Sequence, residues 1–217
     1  MSSARAAIVD IVRTIELGHS EDGAPFIAME LLKGDDLSHF LREKKRLALS
    51  AVVELVLEVA QALSVADEAG IVHRDVKPQN LFLAEEGRKK IWKVLDFGVS
   101  KIRETAGTLT HGAAVGTPSY MSPEQAMAHE VDHRADVFAL GVIAYRTLTG
   151  RPAFTGPDSV STLYNVVHVQ PARPSDFAPV HPDVDRVLAL VLAKEPARRF
   201  STATMFAAAL RDAAQGR

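Results

Sequence analysis

Two short segments hold most of the chemistry this sequence could perform. The first is His73-Arg74-Asp75-Val76-Lys77-Pro78-Gln79-Asn80, a loop flanked by apolar runs. Charge of that density beside a core must be paired, because a buried, unpaired charge is costly. Asp75 and Asn80 stand five apart, so one loop can present a carboxylate and an amide to one site. The second is Asp96-Phe97-Gly98, directly after the apolar run of residues 91–95. A carboxylate at the end of such a strand is suited to a hard cation. Gly98 permits an unusual backbone turn just behind it.

The elements that must position these residues can be read from periodicity. Residues 8–18 and 25–32 are β-branched or apolar and are separated by the turn-forming run 19–24, which predicts a hairpin. Asp35 to Arg46 has room for a short helix. Ser50 is a plausible N-cap for a long helix ending before Gly70. In it Val52, Val56, Val59, Leu63 and Ala66 recur at helical spacing, while Glu54, Glu58, Gln61 and Glu68 form the opposite stripe. Two strands, 80–84 and 91–95, are expected around a turn at 85–90. Residues 99–124 lack periodicity and are rich in Thr, Gly, Ala and Ser. A loop that long inside a compact domain is usually functional or disordered. Asp132 is expected to cap a helix that is apolar almost all round and stops at Gly150, so it should be central and buried. Shorter helices are expected near 158–168, 183–194 and 203–213. Strands come early and helices late, an α+β class dominated by helix.

Bulk properties narrow the function classes. The chain has 217 residues, of which 47% are hydrophobic, enough for a sizeable core. Its 25 basic and 27 acidic side chains give a formal charge of -2, which offers no electrostatic argument for nucleic acid or an anionic membrane. The absence of cysteine excludes disulfides and thiolate metal sites within these residues. The longest apolar run, Val137 to Tyr145, is too short to span a bilayer. A cytoplasmic protein without a membrane segment is the expectation.

The two segments, with Gly116-Thr117-Pro118-Ser119-Tyr120-Met121-Ser122-Pro123-Glu124 in register behind them, resemble the eukaryotic-type (Hanks-type) serine/threonine protein kinases, bacterial branch. His73 to Asn80 matches the family's H-R-D-x-x-x-x-N loop, and Asp96 to Gly98 its D-F-G. Ser-Pro-Glu stands where many members have Ala-Pro-Glu. The resemblance runs from about residue 8 to 213. It implies a kinase-like fold across 1–217, with 1–32 a two-strand remnant of the small lobe plus the hinge and 33–217 the large lobe. It also implies residue roles. Asp75 would be the catalytic base and Lys77 would stabilise the transferring phosphoryl group. Asn80 and Asp96 would hold Mg²⁺. Met29 would be the gatekeeper, Glu30 and Leu32 would offer backbone groups to the adenine of ATP, and Phe82 would belong to the same cofactor site. Arg74 and Lys101 would receive a phosphate on Thr108 or Thr110, whereas Thr117 would be a hydroxyl near Asp75. His73 and Phe97 would pack rather than titrate, and Glu124 would pair with Arg199. For Asp136 two readings stand level: an acceptor for catalytic-loop amides, or a partner of its own helix N-terminus.

The match starts at the fourth small-lobe strand. The 29 residues before Glu30 contain two glycines, Gly18 and Gly23, without a G-x-G pattern, no lysine, and only Glu16 and Glu21 as glutamates. The family's Gly-rich loop, strand Lys and helix Glu are therefore expected to be missing from these residues. Two functions are implied: an ATP-dependent kinase acting on protein substrates, or a pseudokinase scaffold working through protein partners, with a partner covering the incomplete small lobe. The order of the motifs predicts that 50–69 and 132–149 are the two longest helices, packed together, and that 73–80 and 96–98 converge on one cleft.

Overall fold

The computed structural model describes residues 11–97 and 118–217. The expected hairpin forms: β1 (Thr14–His19) pairs antiparallel with β2 (Pro25–Met29). The turn between them is closed by Ser20, whose amide donates to Ala24 O and whose carbonyl accepts from Gly23 N. Ile11 bridges in parallel to Val94, which ties the start of the hairpin to the second sheet.

A strand that periodicity does not reveal, β3 (Gly34–Asp36), follows the hinge and pairs with β4 (Leu81–Glu86), which pairs in turn with β5 (Lys89–Val94). Glycine is required at 34. Its φ is +136°, and a Cβ there would stand 2.0 Å from Leu83 O. The β4–β5 hairpin is longer, and its turn tighter, than the expected turn at 85–90. Glu85 faces Lys90 in register, with an ion pair at 3.1 Å, and Glu86 faces Lys89. Opposite charges directly across a ladder extend it, which leaves Gly87 (φ +63°) and Arg88 as the turn.

α1 (Leu37–Lys44) is capped by Asp36, whose carboxylate accepts from His39 N at 3.0 Å. α2 (Leu49–Glu68) starts two residues earlier than Ser50 as N-cap would set it. Ala48 is the N-cap and makes no side-chain bond. Packing overrides capping chemistry here, because Leu49 joins the edge of the core whereas Ser50 is exposed. Val52, Leu55, Val56, Val59, Ala60, Ala62, Leu63 and Ala66 bury one face. Glu58 leaves the solvent stripe assigned to it and accepts from Trp92 N at 2.7 Å. Among the described residues α2 alone is long and apolar enough to cross a membrane by length and composition. Its apolar positions are buried in the core.

A short α3 (Pro123–Ala126) precedes α4 (Arg134–Thr149), the buried helix. His133 rather than Asp132 occupies the N-cap position. Asp132 stands one residue outside, accepts from Arg134 N at 2.9 Å and pairs with the Arg134 guanidinium at 2.6 Å. That bidentate pairing draws the carboxylate sideways, away from the cap. α4 stops at Gly150 in the left-handed region (φ +73°). α5 (Ser159–His168), α6 (Pro182–Val191) and α7 (Ala203–Ala214) complete the helical part. α2 and α4, with 20 and 16 residues, are the longest described helices, and they pack on each other as expected.

Candidate active site

The loop between α2 and β4 is fixed from below by α4. Asp136, in the first turn of α4, accepts from His73 N at 2.7 Å and from Arg74 N at 2.8 Å. Of the two roles open to it, the carboxylate therefore takes the one across the core. Burial pushes this carboxyl up. His73 and the two amide donors act in the opposite direction. His73 is fully buried, places Nε2 2.8 Å from Leu95 O and stacks obliquely on Phe97, with centroids 4.7 Å apart. It is a packing residue that links the loop to the segment carrying Asp96.

Arg74 is held at φ +64°, an uncommon conformation for a residue with a side chain. Asp75 follows. Its Oδ2 accepts from Lys77 Nζ at 2.7 Å, and Asn80 Nδ2 donates to Asp75 O at 2.8 Å. The carboxylate, the ammonium and the amide thus form one cluster at the loop surface, with the Asp75 and Lys77 side chains 35% and 21% exposed. Asn80 uses its amide nitrogen inside the loop, so Oδ1 remains as an oxygen donor. Asn80 O accepts from Leu95 N at 2.9 Å, which sets Asp96 alongside the loop. Asp96 is exposed, also with positive φ (+59°). An amide oxygen and a free carboxylate are hard ligands suited to Mg²⁺. Among the described residues no group of three or more acidic, His or Cys side chains is placed to hold a metal ion, so these two would need further oxygens from a substrate.

On the hinge side, Met29 ends β2 and Leu32 is half-buried. Glu30 N donates to Arg13 O at 3.0 Å, and its carboxylate accepts from Arg13 N at 3.0 Å and from Lys93 Nζ at 2.9 Å. Lys93 is buried and also pairs with Glu86 at 2.8 Å. Burial works upward on the Glu30 carboxyl, but the Arg13 amide and Lys93 outweigh it and hold it below the usual carboxylate range. Burial works downward on Lys93, but Glu86 and Glu30 raise it and keep it charged. Phe82 lies across the β4–β5 ladder from Lys93. Lys93 was not anticipated as part of the site. Its one signal was a lysine set between Trp92 and Val94 in an apolar strand.

The end of the T-x-x-Y-x-S-P-E segment is anchored as expected. Glu124 and Arg199 form a buried bidentate pair at 2.7 and 2.7 Å, while Arg198 is exposed and pairs with Glu195. Gln125, also not anticipated, donates from Nε2 to Arg74 O at 2.7 Å. Gly98, Lys101, Thr108, Thr110 and Thr117 lie outside the described residues.

A carboxylate bonded to a lysine, with an asparagine tied to the same residue and a strand-end aspartate alongside, is the donor set that the protein-kinase resemblance calls for. Comparison with known proteins agrees. The model of the family described as "Protein kinase domain" matches residues 3–210, and the chain belongs to that family. It is 38% identical over 207 residues to the serine/threonine-protein kinase pkn3 of Myxococcus xanthus, covering 92% of this chain and 38% of that protein. It is 38% identical over 200 residues to the serine/threonine-protein kinase PknB of Mycolicibacterium smegmatis, covering 91% and 32%. The chain thus spans well under half the length of these relatives. The crystal structure of the Mycobacterium tuberculosis PknI kinase domain is similar with a TM-score of 0.73 and 29% identity, over 94% of this chain and 72% of that one.

Proposed function

We propose that this chain carries the catalytic loop and metal-holding residues of a cytoplasmic, ATP-dependent protein serine/threonine kinase that acts in signal transduction. The observation that carries this reading is the cluster of Asp75, Lys77 and Asn80, on a loop whose backbone amides are gripped by Asp136. Asp75 accepts the proton of a substrate Ser or Thr hydroxyl. The hydroxyl oxygen bonds to the γ-phosphorus as the bond to the β–γ bridging oxygen breaks, and ADP leaves with that electron pair. Lys77, paired with Asp75 before substrate arrives, turns to the γ-phosphoryl oxygens. Asn80 Oδ1 and the Asp96 carboxylate would hold Mg²⁺, which supplies charge neutralisation on the phosphates. Leu32 and the carbonyl of Glu30 face adenine, with Met29 and Phe82 beside it. Arg74 and Lys101 receive a phosphate placed on Thr108 or Thr110, and Thr117 keeps its hydroxyl near Asp75. The test is transfer of labelled phosphate to a generic basic protein by these residues joined to a small lobe. Asp75→Asn is expected to abolish transfer while leaving Mg·ATP binding unchanged, and transfer that survives this change would overturn the reading.

A second reading, a scaffold that binds a protein partner, draws on the small-lobe hairpin. Ile15 and Leu17 are 63% and 70% exposed there and Leu31, just beyond it, is 96% exposed, more apolar surface than an isolated hairpin comfortably shows. A partner covering that face would give the chain a function without turnover.

A further inference from the structure

The strained residue of the catalytic loop is held from two sides, and only one side is the buried Asp136. Arg74 sits at φ +64° directly before Asp75, so its peptide orientation sets where the Asp75 carboxylate lies. Asp136 takes the two N–H groups of residues 73 and 74. The carbonyl of Arg74 is taken by Gln125 Nε2 at 2.7 Å. The orientation of this amide is dictated by its other end. Ser122 N, which can only donate, reaches Gln125 Oε1 at 3.0 Å, and Ser122 Oγ reaches the same oxygen at 3.2 Å. Gln125 N donates back to Ser122 Oγ at 3.4 Å, completing a reciprocal capping box. With Oε1 committed to Ser122, the NH₂ group must face Arg74 O.

We propose that Gln125 is a positioning residue for phosphoryl transfer, coupling the end of the activation segment to the backbone that aims Asp75. This rests on the kinase reading. Gln125 belongs to the same short helix as Glu124, which Arg199 pins to the large lobe, so the tie runs from a fixed element to the strained one. Any rearrangement of residues 118–126 moves the acceptor's partner and releases Arg74 O.

One substitution separates this role from helix capping. Gln125→Glu keeps an oxygen for Ser122 N and preserves the Ser-x-x-Glu capping box, but it sets a carboxylate oxygen against Arg74 O and removes the donor. In the 217-residue chain, Gln125→Glu is expected to speed amide hydrogen exchange at residues 73–76 with a smaller loss of Tm than Gln125→Ala, because the capping box is kept. In whichever form transfers phosphate, the chain alone or joined to a small lobe, it is expected to lower kcat by on the order of 10–10²-fold through misalignment with KM for ATP unchanged. Gln125→Ala, which loses both contacts, should show the same kcat loss and a lower Tm. Unchanged exchange at 73–76 in Gln125→Glu, or unchanged kcat where transfer is measurable, would overturn the proposal. If neither form transfers phosphate the kinase reading fails, and the exchange result still decides whether Gln125 holds the loop.

Discussion

Among the described residues, Arg199 is the most heavily used side chain. Besides both oxygens of Glu124, it donates to Ala193 O at 2.8 Å, Arg134 O at 3.1 Å and Lys194 O at 2.9 Å, and its guanidinium lies 4.8 Å from the Phe138 ring centroid. Removing it strands a buried carboxylate and several carbonyls, so Arg199→Ala is expected to cost about 3–5 kcal/mol, read from denaturant unfolding. Arg199→Lys should recover little, since an ammonium cannot reproduce the planar fork. Next to it, Lys194 donates to Val166 O at 2.5 Å and sits 4.1 Å from the Phe154 centroid. Burial, aided by the Arg199 charge, lowers it to about 8 from 10.5. The unfolded chain keeps that proton to higher pH than the folded one, so from pH 8 upward the unfolded state binds more protons and this residue makes stability rise with pH. Below pH 8 both states are protonated and the penalty is fully present. Lys194→Met should flatten that rising limb in Tm measured across pH 8–10. At this scale the sequence was legible where a motif supplied the partner, as for Glu124 with Arg199 or His73 as a packing residue. It was silent for Lys93, Gln125, Glu58 and Lys194, whose partners lie 63 positions away in Glu30–Lys93, 51 in Arg74–Gln125, 34 in Glu58–Trp92 and 28 in Val166–Lys194, and no local pattern encodes such pairs. Asp136 was undecidable for the same reason, since its own helix and a loop 62 residues upstream could both use it.

The elements were easier to read than their ends. The apolar periods of α2 and α4 gave both helices and their mutual packing, because burial of one face repeats every turn. Their starts were misjudged by one or two residues. At Ser50 and Asp132 the local capping preference lost to a neighbouring contact, the core-facing Leu49 in one case and the Arg134 pair in the other. β3 escaped because Gly34-Asp35-Asp36 has no strand character. Its pairing comes from the close approach of Gly34 to Leu83 O. A related close approach fixes the large lobe. Gly141 in α4 faces α6, where a Cβ would meet Val191 Cγ1 at 2.5 Å and Cγ2 at 3.1 Å. Val191 is itself fully buried, and its branched side chain is stiff at χ1 in a helix. Gly141→Ala should therefore overpack the α4–α6 contact and cost about 1–3 kcal/mol, more than the gain in helix propensity returns. Pairing it with Val191→Ala should recover part of that loss, and a double-mutant cycle in urea would measure the coupling. Simple additivity of the two changes would show that the glycine is not there for contact.

For the molecule as a whole, the question is what the 217 residues can do unaided. They hold Asp75, Lys77 and Asn80 on one loop, and the Leu95 N to Asn80 O bond and the His73–Phe97 contact bring the segment carrying Asp96 to that loop, as the order of the motifs implied. They hold no lysine before Lys33 and no G-x-G pattern ahead of the hinge. Phosphoryl transfer is mostly positioning and electrostatic stabilisation, and one preorganised donor is worth on the order of 10²–10³ in rate. As the proposed metal ligands, Asn80 and Asp96 would bind Mg²⁺ well only when phosphates complete its octahedron, so weak phosphate grip and weak metal affinity would compound each other. The segment at Glu30 is more secure, because the buried Lys93 of β5 pairs with the Glu30 carboxylate. The expected outcome is that a polypeptide of residues 1–217 folds, binds Mg·ATP weakly by calorimetry and transfers little phosphate to a basic protein. The same residues joined to a small lobe bearing a Gly-rich loop, a strand Lys and a helix Glu should turn over, and Asp75→Asn in that fusion should be inert. Robust turnover by residues 1–217 alone, lost in Asp75→Asn, would mean that the large lobe positions the triphosphate without a clamp from above. In that case Lys77 and the two metal-holding oxygens supply more of the grip than their number suggests.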